Sequence, residues 1–131
     1  MKTMSVLLLT LVCLGCGYSA PKSTAPQPGV MPAVAQLVPN TANSGDPQFT
    51  LTVNGSNFAT NAVINWNGAK QTTTRMTGGQ LTATIPATAI ASPATVPVSV
   101  TNPGTPGSGG IYGSGGGTAS ETSNAMNFTV N

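Results

Sequence analysis

The side chains that could act as acids, bases or metal ligands are few in this chain. Of its 131 residues only Asp46 and Glu121 are carboxylic acids, and there is no histidine. Acid–base catalysis depends on such groups held together near a substrate, and a catalytic metal site needs several of the same ligands. Two acids far apart in the sequence therefore predict a protein that is not an enzyme, with no catalytic residues, no metal site and no cofactor.

Basic residues are equally scarce. Lys2, Lys22, Lys70 and Arg75 are all that the chain has, and charged residues make up 5% of it, against about 25% in a typical globular protein. Binding to a nucleic-acid backbone requires a patch of lysine and arginine. Because Lys70 and Arg75 would point to opposite faces of a regular strand, no such patch and no nucleic-acid partner are predicted.

Both cysteines lie in an N-terminal segment that is typical of an export signal. Lys2 precedes a run of nine apolar or small residues, Val6 to Leu14, and a membrane-spanning helix would need about 17–25. The run ends in Leu14-Gly15-Cys16, which resembles the bacterial lipobox. This resemblance implies that residues 1–15 are a signal peptide, that cleavage occurs before Cys16, and that the thiol of Cys16 carries a lipid.

Cys13 departs from the lipobox pattern, in which the position three before the lipidated cysteine is usually leucine. Ordinary signal-peptidase cleavage after Tyr18-Ser19-Ala20 stays open as an alternative and would give a secreted protein, although Tyr18 is bulky for such a site. Lipid on Cys16 would instead place the protein in the bacterial cell envelope, at the outer membrane or cell surface. Two or three acyl chains bind a bilayer stably, whereas a single chain binds it only marginally.

A proline-rich segment follows the signal. Residues 16–32 read CGYSAPKSTAPQPGVMP, with four prolines among small and polar residues. This composition favours extended polyproline II and forms no core of its own. We therefore expect the lipidated cysteine and a flexible tether at residues 16–32, followed by one domain at residues 33–131.

Beyond residue 32 the chain alternates apolar and polar residues in short runs. Phe49, Leu51 and Val53, for example, are separated by threonines. Such alternation is typical of strands with one buried face, and Asn67-Gly68 between two runs predicts a tight hairpin. The sequence predicts an all-β, antiparallel sandwich of about seven strands. These are expected at residues 33–38, 49–55, 62–67, 69–76, 80–86, 95–102 and 124–130.

Several motifs follow one another in this region. The most specific are Gly55-Ser56-Asn57-Phe58 and the Asn102-Pro103-Gly104 step before a glycine-rich loop. Residues 62–68 (AVINWNG), 80–86 (QLTATIP) and 123–130 (SNAMNFTV) add to the set. Taken in order, these motifs resemble the IPT/TIG domain, a family with an immunoglobulin-like fold. The resemblance covers about residues 33–131. It implies an immunoglobulin-like sandwich with a binding or spacer role and no catalytic residues.

Several motif residues are expected to be structural rather than to contact a ligand. Gly55 would relieve a turn, Asn57 would bond to backbone, and Phe58 would close one end of the core. Trp66 shares the parity of Ile64, so its ring is expected on the buried face rather than on a sugar-binding surface. The predicted structural residues are Gly55, Asn57, Phe58, Trp66, Asn67 and Gly68.

The candidate binding site is the loop at residues 103–122, which has eight glycines. It lacks the lysine of a phosphate-binding loop, and loops of this length are either functional or disordered. Ile111 and Tyr112 at its centre are the residues that could contact a partner.

The sequence thus predicts a lipid-anchored module of the cell envelope with a binding or spacer role. Its partners would be the membrane, through the lipid on Cys16, and an envelope protein or polysaccharide. The alternative is a carbohydrate-binding accessory lipoprotein, because threonine and asparagine side chains can bond to sugar hydroxyls.

Overall fold

A computed structural model of the chain describes residues 28–106 and 117–131, which form two β-sheets packed face to face. Cys16, Ile111 and Tyr112 lie outside these residues. Four strands form the first sheet, in the spatial order β1, β3, β7, β6. They are β1 (Ala33–Val38), β3 (Phe49–Ser56), β6 (Thr73–Thr77) and β7 (Gln80–Ile85).

The second sheet has the spatial order β2, β10, β8, β4, β5, with a further strand β9 beside β8. Its strands are β2 (Thr41–Ala42), β4 (Val63–Trp66), β5 (Ala69–Lys70), β8 (Ala94–Asn102), β9 (Glu121–Thr122) and β10 (Met126–Val130). Most pairs are antiparallel, but the short strand β2 pairs with β10 in parallel. The prediction of an all-β immunoglobulin-like sandwich is confirmed.

One predicted strand is divided between the two sheets. Residues 69–76 were expected to form a single strand, but β5 pairs with β4 in the second sheet whereas β6 pairs with β7 in the first. The chain crosses between the sheets at Gln71 and Thr72. The Thr73 hydroxyl accepts a hydrogen bond from the Ile64 amide at 2.9 Å and so holds the crossing against β4. Because this segment has almost no apolar residues, its periodicity could not reveal the crossing.

The core lies between the sheets and consists of the alternating apolar residues. Leu51, Leu81 and Ile85 of the first sheet and Val98 and Phe128 of the second all have 0% exposure. Fully burying an aliphatic or aromatic side chain contributes about 1.5–3 kcal/mol. The threonines that alternate with these residues in β3, β7 and β10 are less buried, so each of these three strands has one buried apolar face and one polar face.

The two ends of the sandwich carry different loops. The entry end is the one that precedes β1. It contains the start of β1, the loop at residues 57–62, the turn at Gly78-Gly79 and both bases of the loop 103–122. At the far end lie the loop at residues 39–48, the Asn67-Gly68 turn and a 3₁₀ turn at Ala87–Ile90.

Candidate functional site

The predicted motif residues lie at opposite ends of the sandwich. Gly55, Asn57 and Phe58 are at the entry end, whereas the Trp66–Gly68 segment is at the far end. The fold therefore does not bring them into one site.

Gly55 allows three segments to meet closely at the entry end. Its amide donates to the Gly79 carbonyl at 2.9 Å, and the Phe58 amide donates to the Gly78 carbonyl, also at 2.9 Å. A Cβ atom on Gly55 would lie 2.7 Å from Cζ of Phe58 and would collide with the Ala33 carbonyl oxygen. The motif thus packs Phe58, which is 3% exposed, against β1 and the β6–β7 turn.

Asn102 connects the entry segment to this motif. Its side chain is buried at 5% exposure. The amide group donates to the Val30 and Asn57 carbonyls, both at 2.8 Å, and its oxygen accepts from the Ala59 amide at 3.0 Å. All its polar atoms are therefore satisfied, as buried polar groups require.

The sequence predicts no role for Asn102 beyond its place in the Asn102-Pro103-Gly104 motif. A signal was present, however, because Val96, Val98 and Val100 in β8 alternate on the buried face and Asn102 continues the same parity. A polar side chain at a buried position must find partners within the fold. An asparagine at the end of an apolar alternation could therefore have been identified as a hydrogen-bonding hub.

The residues just before β1 pack on the domain, although the tether was predicted to extend to residue 32. Pro32 is fully buried, and a Cβ on Gly29 would collide with the Ala119 carbonyl oxygen. By contrast, the side chains of Val30 and Met31 are 65% and 63% exposed. The segment is held by the Val30 and Met31 carbonyls and by the buried Pro32, while the Val30 and Met31 side chains face solvent.

Trp66 at the far end belongs to an aromatic cluster. Its ring centroid is 4.9 Å from that of Phe128 and 6.3 Å from that of Phe49. With 4% exposure, it lies on the face predicted from its parity with Ile64 and offers no open ring for stacking on a sugar. Asn67 and Gly68 have φ of 49° and 81°, as the predicted tight hairpin turn requires.

The outer face of the first sheet is a continuous array of hydroxyl groups, which we call the threonine face. Cross-strand pairing aligns Thr52 with Thr82 and Thr82 with Thr74, while Thr50 pairs with Thr84. These side chains lie near a shallow depression of about 420 Å³ whose lining residues are all uncharged.

An amide ladder continues the threonine face towards the entry end. The Asn54 amide group donates to the Gln36 side-chain oxygen at 3.4 Å, and the Gln80 amide donates to the Asn54 oxygen at 3.0 Å. Together the ladder and the threonines form a neutral surface that can donate and accept hydrogen bonds at fixed strand spacing. Composition predicted neutral polar faces, but only strand pairing shows that these groups are contiguous.

The ionisable side chains are dispersed over the sandwich. The Asp46 carboxylate accepts a hydrogen bond from the Asn43 amide at 2.9 Å at the far end, whereas Glu121 lies on β9 at the entry end. Lys70 belongs to the second sheet and Arg75 to the first. Across the described ranges, no three His, Cys, Asp or Glu residues come together. In the same residues no helix is long and apolar enough to cross a membrane.

Comparison with known proteins gives one family. A model of the IPT/TIG domain matches residues 32–129, which is most of the chain. No curated protein and no solved structure gives a significant match.

Proposed function

From the premise that this chain belongs to the IPT/TIG domain family, we propose that it is a lipid-anchored module of the bacterial cell envelope that binds or spaces a partner without catalysis. Domains of this family are immunoglobulin-like modules commonly used in binding or spacer roles. The lipid anchor is inferred from Leu14-Gly15-Cys16 at the end of a short apolar run.

The observation that best supports a contact role is the separation of the two carboxylates. Asp46 lies at the far end and Glu121 at the entry end, so they do not form a pair for acid–base work. Apart from Lys70 and Arg75, the described surface between them is uncharged. On the second sheet, as on the threonine face, hydroxyls and amides dominate, with Asn65 donating to the Thr101 hydroxyl at 2.8 Å.

Replacing Cys16 tests the anchor, and Cys13 is a matched control. In a bacterium that processes lipoproteins, Cys16→Ala is expected to abolish membrane association and to prevent the mass increase of a diacylglyceryl group, because alanine has no thiol to acylate. Cys13→Ala removes a thiol from the same segment and is expected to leave processing unchanged. Cell fractionation and intact-protein mass spectrometry of both variants give the answer.

A Cys16→Ala protein that stays in the membrane fraction with the wild-type mass would contradict lipid anchoring. Loss of the lipid from both variants would mean that Cys13 contributes to recognition or modification. Cleavage after Ala20 in the wild-type protein would support the secreted alternative.

A second candidate function, binding of a neutral polysaccharide, is favoured by the threonine face. Its hydroxyl and amide groups match the hydrogen-bonding capacity of sugars. No aromatic side chain of the described residues lies on this face as a stacking platform, so affinity would depend on many hydrogen bonds.

Removing hydroxyls from the threonine face tests the second candidate. If the face binds polysaccharide, the double variant Thr52→Val/Thr82→Val is expected to lower retention on insoluble cell-wall polysaccharide at least fivefold. Thr95→Val/Thr129→Val changes a cross-strand pair on the second sheet and is expected to bind like the wild type. Absence of retention of the wild-type protein on all polysaccharides tried would exclude this function.

A further inference from the structure

Exposed apolar side chains are concentrated at the entry end. Among the described residues, the large apolar side chains with the highest exposure are Val30 at 65%, Met31 at 63% and Met76 at 59%. The next is Val38, 45% exposed at the far end of β1. Single exposed apolar residues are ordinary, but these three lie at one end of the sandwich, Val30 and Met31 just before the edge strand β1 and Met76 in the opposite edge strand β6.

Hydrogen bonds bring the segments that contain these residues together. The Asn57 side-chain amide reaches the Met31 carbonyl at 3.5 Å, and Nε of Arg75 donates to the carbonyl of the adjacent Phe58 at 3.2 Å. Met76 follows Arg75 in β6. The entry segment and the end of β6 therefore converge on the same Asn57-Phe58 motif.

The length of the chain before this surface limits its distance from a lipid on Cys16. Pro28 lies twelve positions after Cys16, and a fully extended chain of that length reaches about 40 Å. The entry end therefore cannot be farther than that from the bilayer surface. Tethering at this range makes docking intramolecular, with an effective concentration in the millimolar range, so a weak contact can be well populated.

We propose that the entry end docks on the lipid bilayer that holds the Cys16 lipid, with Val30, Met31 and Met76 inserted at the headgroup boundary. This inference rests on the proposed lipid anchor. Apolar side chains at this depth leave water while the polar backbone around them stays hydrated. The guanidinium of Arg75, which precedes Met76 in β6 and is exposed, is attracted to anionic lipid headgroups. Glu121, half-buried near Gly29, is the acid at this end and opposes part of that attraction.

Docking in this way determines what the protein presents to its partners. Because the strands run from the entry end to the far end, the sandwich stands on the membrane with the Asn67-Gly68 turn and the 39–48 loop outermost. The threonine face then stands upright and stays open to the space beside the membrane. The bases of the 103–122 loop, at Gly104 and Thr118, lie on the membrane side.

Methionine oxidation can measure docking without a label. Cleavage before Cys16 leaves Met31, Met76 and Met126, of which Met126 packs against the core. Lipidated full-length mature protein is reconstituted in phosphatidylcholine–phosphatidylglycerol vesicles and treated with hydrogen peroxide, and each methionine is followed by peptide mass spectrometry. Relative to the Cys16→Ala protein mixed with the same vesicles, oxidation of Met31 and Met76 is expected to slow at least threefold, while Met126 is unchanged.

Two matched substitutions, one at each end of the sandwich, test which end docks on the bilayer. Val30→Ser is expected to restore much of the oxidation rate of Met31 and Met76 in the vesicle-bound protein, because it removes an inserted side chain. Val38→Ser, at the far end, is expected to leave protection intact. Equal effects of both variants would overturn the assignment of the entry end.

Vesicle flotation separates this inference from the proposed anchor. A protein that floats with vesicles, but whose Met31 and Met76 oxidise as fast as in the Cys16→Ala protein, is anchored and not docked, which overturns the inference alone. A wild-type protein that does not float overturns both.

Discussion

Phe128→Ala is expected to lower the free energy of unfolding by about 3–5 kcal/mol, the usual cost of removing a buried aromatic ring. Phe128 has 0% exposure and stacks on Phe49 with a centroid distance of 5.5 Å, while Trp66 packs against it at 4.9 Å. Residues 17–131 contain no cysteine, so no disulfide offsets the loss. Since domains are stable by only about 5–15 kcal/mol, this variant is expected to be close to unfolding.

The fluorescence of Trp66 measures the stability of the Phe128→Ala variant. It is the single tryptophan of the chain and contacts the ring that is removed, so its fluorescence reports urea unfolding of the core. Thr95→Ala, at an exposed position paired with Thr129, is the control and is expected to change stability by less than about 0.5 kcal/mol. A loss below about 1 kcal/mol for Phe128→Ala would mean that the aromatic cluster is not the centre of the core.

Asn102→Ala is expected to cost about 3 kcal/mol, which is large for a polar substitution. It removes two donors and one acceptor, and leaves the Val30 and Asn57 carbonyls and the Ala59 amide without their partner. Each buried group left unpaired costs about 1–3 kcal/mol, and access of water to Val30 reduces the sum. Urea unfolding measures the loss, and limited proteolysis is expected to show earlier cleavage near Val30.

Asn102→Asp separates two causes of destabilisation, the loss of the hydrogen-bond donors and the loss of side-chain volume. Aspartate has nearly the same shape, but its second oxygen would face the Val30 and Asn57 carbonyls in place of an amide that donates to both. We expect it to be at least as destabilising as alanine at neutral pH. Asn127→Ala on the exposed face of β10 is the control for asparagine loss. Equal stability of Asn102→Ala and Asn127→Ala would show that the hub contributes nothing.

Most strands were predictable because a strand with one buried face alternates apolar and polar residues along its own sequence. Leu51 and Val53 alternate with threonines, and this pattern needs no knowledge of the partner strand. The turn at Asn67-Gly68 was also predictable, because positive φ at two successive residues strongly selects these residue types. The segment at residues 69–76 was predicted as one strand because polar residues on both parities give no signal of a change of sheet.

The candidate site was less predictable because it depends on which segments meet. The Asn102 hub joins residues far apart in the chain, and only an asparagine on the buried parity of β8 hints at it. The predicted contact residues Ile111 and Tyr112 and the predicted lipid site at Cys16 lie outside the described residues, so these three stay predictions. The apolar group at the entry end was not anticipated, because Met76 is far in the sequence from the adjacent pair Val30-Met31.

By itself, the sequence determined which ionisable and polar groups the protein has and which faces of its main strands are buried. With two carboxylates, no histidine and four basic residues, it left threonine, asparagine and serine to form a largely uncharged surface, and the alternation of apolar residues assigned the buried side of the strands that have one. Only the tertiary structure decided which loops share an end, which threonines adjoin and which apolar side chains stay exposed together. The physical reason is that alternation specifies the face of a strand, whereas the neighbour of that strand is set by long-range pairing and packing that leave no local pattern.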